Sequence, residues 1–98
     1  MSHAEIIRPS ERLSPSIGGT GYQPPSEPTT LANVLAAYEA SLAAGVTVPG
    51  MFVLKVLRGS VNWKKPAKKR RLTFSDGRCD CVVIGSNRDW WFVSVQLA

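Results

Sequence analysis

The sequence predicts an α+β, mainly β fold: one short helix followed by four strands in a small barrel-like layout. Three observations carry this. Apolar residues recur at helical spacing once, between Leu31 and Leu42. From Met51 onward the pattern changes to short β-branched or alternating runs separated by glycine-containing turns. Residues 1–30 show neither period and hold five of the seven prolines.

That first segment combines Pro9, Pro15, Pro24, Pro25 and Pro28 with Gly18, Gly19 and Gly21. Proline lacks an amide donor, glycine is costly to order, and there is little apolar surface to bury. Residues 1–29 are therefore expected to be a flexible Pro/Ser/Gly-rich tail, and residues 30–98 the folded domain. Pro24-Pro25 could favour a local polyproline II conformation.

Thr30 has the character of an N-cap, its hydroxyl placed to accept from the first free amides. Leu31, Val34, Leu35, Tyr38 and Leu42 then lay one apolar stripe along a helix. Gly45 can take the left-handed conformation that ends it. Such a stripe covers a core.

Met51 to Arg58 reads as the first strand, bounded by Gly50 and Gly59. A loop containing Trp63 opens a basic run. In Arg71 to Ser75, Leu72 and Phe74 should face inward and Arg71, Thr73 and Ser75 outward. Asp76-Gly77 is a turn signal. Arg78 to Ile84 returns as a strand with Cys79, Cys81 and Val83 on one face, and after a turn at 85–87 Trp90 to Leu97 forms the last.

The charge is unevenly spread. Residues 1–50 carry a net −2 and residues 51–98 a net +7, which together give the +5 of the chain. This asymmetry points to a polyanionic partner for the second half. The densest signal is Lys64-Lys65-Pro66-Ala67-Lys68-Lys69-Arg70-Arg71. Mutual repulsion keeps such a run solvated. It has the form of a nuclear-import signal, and it could equally neutralise phosphates. Trp63, Trp90 and Trp91 are candidates to stack on bases beside it.

Other classes fare badly. The single histidine, His3, lies near an end expected to be mobile, so no triad or zinc site can be built around it. Cys79 and Cys81 offer at most two thiolates, and their spacing disfavours a relaxed disulfide. Gly18-Gly19-Thr20-Gly21 lacks the flanking strand and lysine of a phosphate loop. The expectation is a non-enzymatic protein with no cofactor and no metal. Asn33, Glu39, Ser41 and Gly45 interrupt the longest apolar stretch, and no signal peptide opens the chain. A soluble protein of the nucleus, or otherwise the cytoplasm, is expected.

From the helix onward the order of elements resembles the N-terminal domain of the large subunit of replication protein A, an oligonucleotide-binding (OB) fold. The matching pieces are Leu31 to Ala44, Pro49, the strand Phe52 to Arg58, and Lys69 to Gly77, with Arg-x-Leu-x-x-Ser-Asp-Gly at 70–77 the sharpest. About half of the chain is covered. The resemblance implies an OB-like barrel with a basic cleft that takes acidic, often helical, protein segments and binds single-stranded DNA weakly. Arg58 matches the cleft cation at the end of the first strand, and Lys69 and Arg71 match those of the second. The family domain continues well beyond Ser-Asp-Gly, whereas Arg78 to Ala98 leaves room for two strands. The barrel is then incomplete, or its fifth strand is replaced, or the chain is a truncated product.

Three functions are therefore carried forward. The first is an adaptor for acidic protein segments, using Arg58, Lys69 and Arg71 with Lys64, Lys65, Lys68 and Arg70 nearby. The second is a single-stranded nucleic-acid binder in replication or repair, with Trp63 or Trp90 stacking. The third is an assembly subunit that uses its basic loop and its C-terminal strand as partner contacts.

Overall fold

A computed structural model describes residues 2–7, 28–64 and 67–97. Strand β1 (Ala4–Ile6) comes first, then helix α1 (Leu31–Ala43). Strand β2 (Phe52–Leu57) follows and runs into a single 3-10 turn at Arg58–Ser60. Strands β3 (Lys69–Phe74), β4 (Gly77–Ser86) and β5 (Trp90–Gln96) complete the order. The five strands form one antiparallel sheet, β1-β2-β5-β4-β3. It curls into a half-barrel whose two outer strands meet at one point. There Ser2 donates its amide to the Thr73 carbonyl at 3.1 Å. Strands β2 to β5 lie in the spatial order 2-5-4-3, the Greek-key arrangement.

Two expectations are corrected here. The tail expected over 1–29 is not unstructured throughout, since Ala4–Ile6 pairs with Leu54–Val56. The amide of Leu57 donates to the His3 carbonyl at 2.9 Å, and the His3 amide to Ser60 Oγ at 2.9 Å. Ala4 is wholly buried. A small side chain fits where β1 crosses the core, and this segment supplies the fifth strand that four strands lacked. Residues 8–27, including Pro24-Pro25 and the glycine cluster, lie outside the described residues. The second correction concerns Trp90 to Leu97. Its strand is hydrogen-bonded to β2 on one side and β4 on the other, so it has no edge with which to enter another chain's sheet.

Alternation sorts each strand as its residue types require. Leu54 and Val56 of β2, Leu72 and Phe74 of β3, Cys81 of β4, and Val93 and Val95 of β5 fill the interior. Each fully buried aliphatic side chain contributes about 1.5–3 kcal/mol relative to exposure. Leu72 and Phe74 point inward, and Arg71, Thr73 and Ser75 are exposed. Between Val83 and Gly85 the β4–β5 register shifts, and such irregularity sharpens the local twist.

Helix α1 closes one end of this half-barrel with Val34 and Tyr38. The Tyr38 ring lies 5.6 Å from that of Phe52, and its hydroxyl accepts from the Gly50 amide at 3.0 Å. Leu31 and Leu42 pack at the margin, while Leu35 falls outside the stripe and is exposed. Thr30 caps the helix by accepting from the Asn33 amide, and Gly45, at φ +70°, follows its last turn. No helix among the described residues is long and apolar enough to cross a membrane.

Candidate functional site

The basic residues are distributed over two faces of the sheet. On β3, Lys69 and Arg71 are exposed, while Arg70 belongs to the inward row with Leu72 and Phe74. The hairpin register sets Lys69 opposite Val82 and Arg71 opposite Asp80. Beyond them, β5 brings Gln96 beside Asp80. These five residues, with Arg70 and Cys81, line a shallow, open cleft of about 620 Å³ along β3, β4 and the end of β5. Arg71 Nε donates to Asp80 Oδ1 at 3.1 Å, with both side chains largely in water. Such a pair contributes little and opens easily.

Lys68, at the head of β3, is exposed, and its carbonyl accepts from the Val83 amide at 2.8 Å. Lys64 is also exposed. Lys65 lies outside the described residues.

Arg58 stands apart from this cleft. Strands β2 and β3 do not pair, because β5 and β4 lie between them. The Arg58 guanidinium instead sits 4.4 Å over the Trp91 ring, and its Nη1 donates to the Asn87 carbonyl at 3.0 Å. Trp91 meets Trp63 at 6.1 Å between ring centroids, and Arg70 lies 5.7 Å over Trp63. Arg58, Trp91, Trp63 and Arg70 thus form one row of contacts, with a guanidinium at each end and the two indoles between. Cation–π contacts of this kind contribute about 0.5–2 kcal/mol each.

Trp90 points to the other face. Lys55 Nζ lies 4.6 Å over its ring and 3.6 Å from Glu5 Oε1. His3 Nε2 is 2.6 Å from Glu5 Oε2, and the His3 and Trp90 rings are 6.0 Å apart. Glu5 is 7% exposed. His3, expected at a mobile end, is instead held by its backbone and its ring.

Sequence reasoning missed Asp80, Val82 and Gln96. Asp80 was missed because a two-residue turn at Asp76-Gly77 would set Arg71 opposite Val82, whereas the turn falls one residue earlier, at Ser75-Asp76, and sets Arg71 opposite Asp80. Glu5 carried no comparable signal, since three residues are too few to display a strand period.

Cys79 and Cys81 face the interior as free thiols. Burial pushes Cys81 up to about 12 and Cys79 up to about 11, with the Cys79 thiol and the Asp80 carboxylate adding to the first and Asp80 to the second. They are packing groups, not nucleophiles at neutral pH.

Models of known protein families, curated proteins and solved structures were compared with this chain, and none matched.

Proposed function

We propose that this protein is a non-enzymatic OB-like binding module whose outer β3 face takes acidic segments of partner proteins. The observation that carries the reading is the cleft at Lys69 and Arg71. There two exposed cations two residues apart flank an apolar residue, Val82, and the one acid among them is held only by a solvated pair. Lys64 and Lys68 add positive charge nearby. A polyanionic partner gains from each cation, and Val82 offers footing to an apolar anchor.

The Greek-key order and the half-open sheet are compatible with an OB-like barrel. The likeness to the replication protein A domain rests on the helix, on Arg58 at the end of β2, and on Ser75-Asp76-Gly77. A role in replication or repair and residence in the nucleus, through the run at 64–71, are parts of the same proposal.

Direct binding of single-stranded DNA is the second reading. A guanidinium or ammonium already lies over a ring of each tryptophan, Trp63, Trp90 and Trp91. Bases would have to compete with these cations or use the opposite ring faces, so the acidic-protein reading is favoured.

The test is a titration of an acidic peptide and of single-stranded DNA at low and moderate salt. Wild type is compared with Lys69→Glu, Arg71→Glu, Trp63→Phe and Trp90→Phe. The proposal expects salt-sensitive peptide binding that either charge reversal abolishes and the phenylalanine variants keep. Tight DNA binding that the phenylalanine variants weaken most would replace it with the second reading.

A further inference from the structure

We infer that the outer edge of β3, at Lys69 and Arg71, is a docking site for an extended acidic segment of a partner protein, which pairs with it as an added antiparallel strand. This rests on the reading of the β3 face as a surface for acidic segments and specifies how such a segment is held.

The backbone geometry comes first. In an antiparallel pair, alternate residues turn their amide and carbonyl toward the partner strand, and the residues between turn theirs away. Thr73 accepts on its carbonyl from the Ser2 amide at 3.1 Å and donates its own amide to Ser2 Oγ at 3.4 Å. Its backbone groups therefore point away from β4. Lys68 points toward β4, because its carbonyl accepts from Val83. By the same alternation Arg71 and Lys69 turn their amides and carbonyls to the outer edge.

Ser2 ends this edge at Thr73. Among the described residues, no strand pairs with β3 on that side at Lys69 or Arg71. The other outer strand, β1, is treated differently: the Ala4 carbonyl on its edge accepts from the Thr29 amide at 2.9 Å. Among the described residues, the chain itself meets the β1 edge at Ala4 and the β3 edge at Thr73, and leaves the stretch of β3 at Lys69 and Arg71 without a paired strand.

Side-chain chemistry then selects the occupant. Open edges are usually guarded by charge, and lysine and arginine guard this one. An added strand places the residues opposite Lys69 and Arg71 on the outer face, beside those cations. Carboxylates there would be matched, and lysines would be repelled. The residue between them faces the inner row, opposite Arg70 and near Leu72. The recognised pattern is thus acid, any residue, acid in extended conformation, and no helix with the same composition can reproduce it. An incoming carboxylate would also compete with Asp80 for Arg71.

The experiment uses the full chain and a fluorescent peptide that alternates glutamate with valine. Two further peptides carry N-methyl groups on the glutamate amides or on the valine amides. In the antiparallel register the glutamate amides face β3, so their methylation should weaken binding at least about tenfold while valine methylation leaves it within about twofold. Arg71→Pro should bind more weakly than Arg71→Ala. Both lose the charge, but proline also removes the edge amide without touching the β3–β4 ladder. Equal melting temperatures of the two variants, or a comparison of Lys69→Pro with Lys69→Ala, would exclude a folding effect. Binding that both methylated peptides retain, or a loss confined to the valine set, overturns edge pairing while the cationic surface stands. Failure of the unmodified peptide and of every other polyanion to bind overturns both.

Discussion

The carboxylate of Asp76 caps helix α1 across the hairpin: Oδ1 accepts from the Leu31 amide at 2.7 Å and Oδ2 from the Ala32 amide at 3.0 Å. With Thr30 accepting from Asn33, three of the amides that open the helix are satisfied by side chains. The Asp of Ser75-Asp76-Gly77 thus ties the β3–β4 turn to the helix. The Ala32 amide, then the Leu31 amide, holds its carboxyl below the usual carboxylate range. A lowered native pKa stabilises the fold above the unfolded pKa, and that contribution is lost as pH falls through the native one. Asp76→Asn should therefore melt at a lower temperature than wild type at neutral pH. The gap should close progressively as pH drops below the ordinary range for aspartate. Melting curves from neutral pH into acid measure this, and a gap independent of pH would remove the charge from the cap.

Gly77 is needed for room as well as for the turn. A Cβ built on it would lie 2.8 Å from Leu31 Cδ2, and its φ of +153° disfavours other residues. Gly77→Ala should destabilise the protein by about 1 kcal/mol or more. Adding Leu31→Ala relieves the contact but not the backbone, so the double variant should cost less than the sum of the two singles. Denaturant titrations of all three variants would measure the coupling, and strict additivity would show that the two residues do not press on each other.

The legible parts of this fold were those whose pattern is local. Leu31, Val34, Tyr38 and Leu42 recur at helical spacing over several turns, and Leu72 and Phe74 alternate with the polar Arg71, Thr73 and Ser75, so burial follows from the period. Strand β1 left no such trace. Ala4–Ile6 is three residues long and its partner lies some fifty residues away, so only tertiary pairing reveals it. Strand order was equally hidden. Arg58 and Arg71 each end up where strand geometry sends them, but nothing local says that β4 and β5 separate their strands. The two cations that resembled one cleft therefore stand on different parts of the sheet. Asp76 looked like a turn residue and is one; its capping role exists only because the helix docks there.

The buried thiols give a chemical readout of the same packing. At pH 8, Cys79 and Cys81 should react with an alkylating reagent about two orders of magnitude more slowly than an unstructured thiol, because burial keeps both neutral. Denaturant should restore the ordinary rate. Their raised native values favour the fold fully below the unfolded thiol pKa, and the advantage is withdrawn as pH climbs toward the native ones. Rapid labelling of the native protein would show that the sheet opens at β4.

Asp80 offers the most direct probe of the cleft. It is the carboxylate that competes with any anion for Arg71, at 3.1 Å and in water. Replacing it by asparagine keeps the shape of the hairpin, frees the Arg71 guanidinium and removes one negative charge from the surface. Asp80→Asn should therefore bind an acidic peptide more tightly, up to about fivefold, the range of an exposed ion pair. Added salt should shrink the gain, since the Debye length falls to roughly 8 Å at physiological ionic strength. Arg58→Glu should behave differently. Its side chain stacks on Trp91 and donates to Asn87, so the change should lower the melting temperature more than it lowers peptide affinity. Titrations and melts of the two variants side by side separate the roles. Weaker binding by Asp80→Asn would mean that the carboxylate positions Arg71 for the partner and does not compete with it.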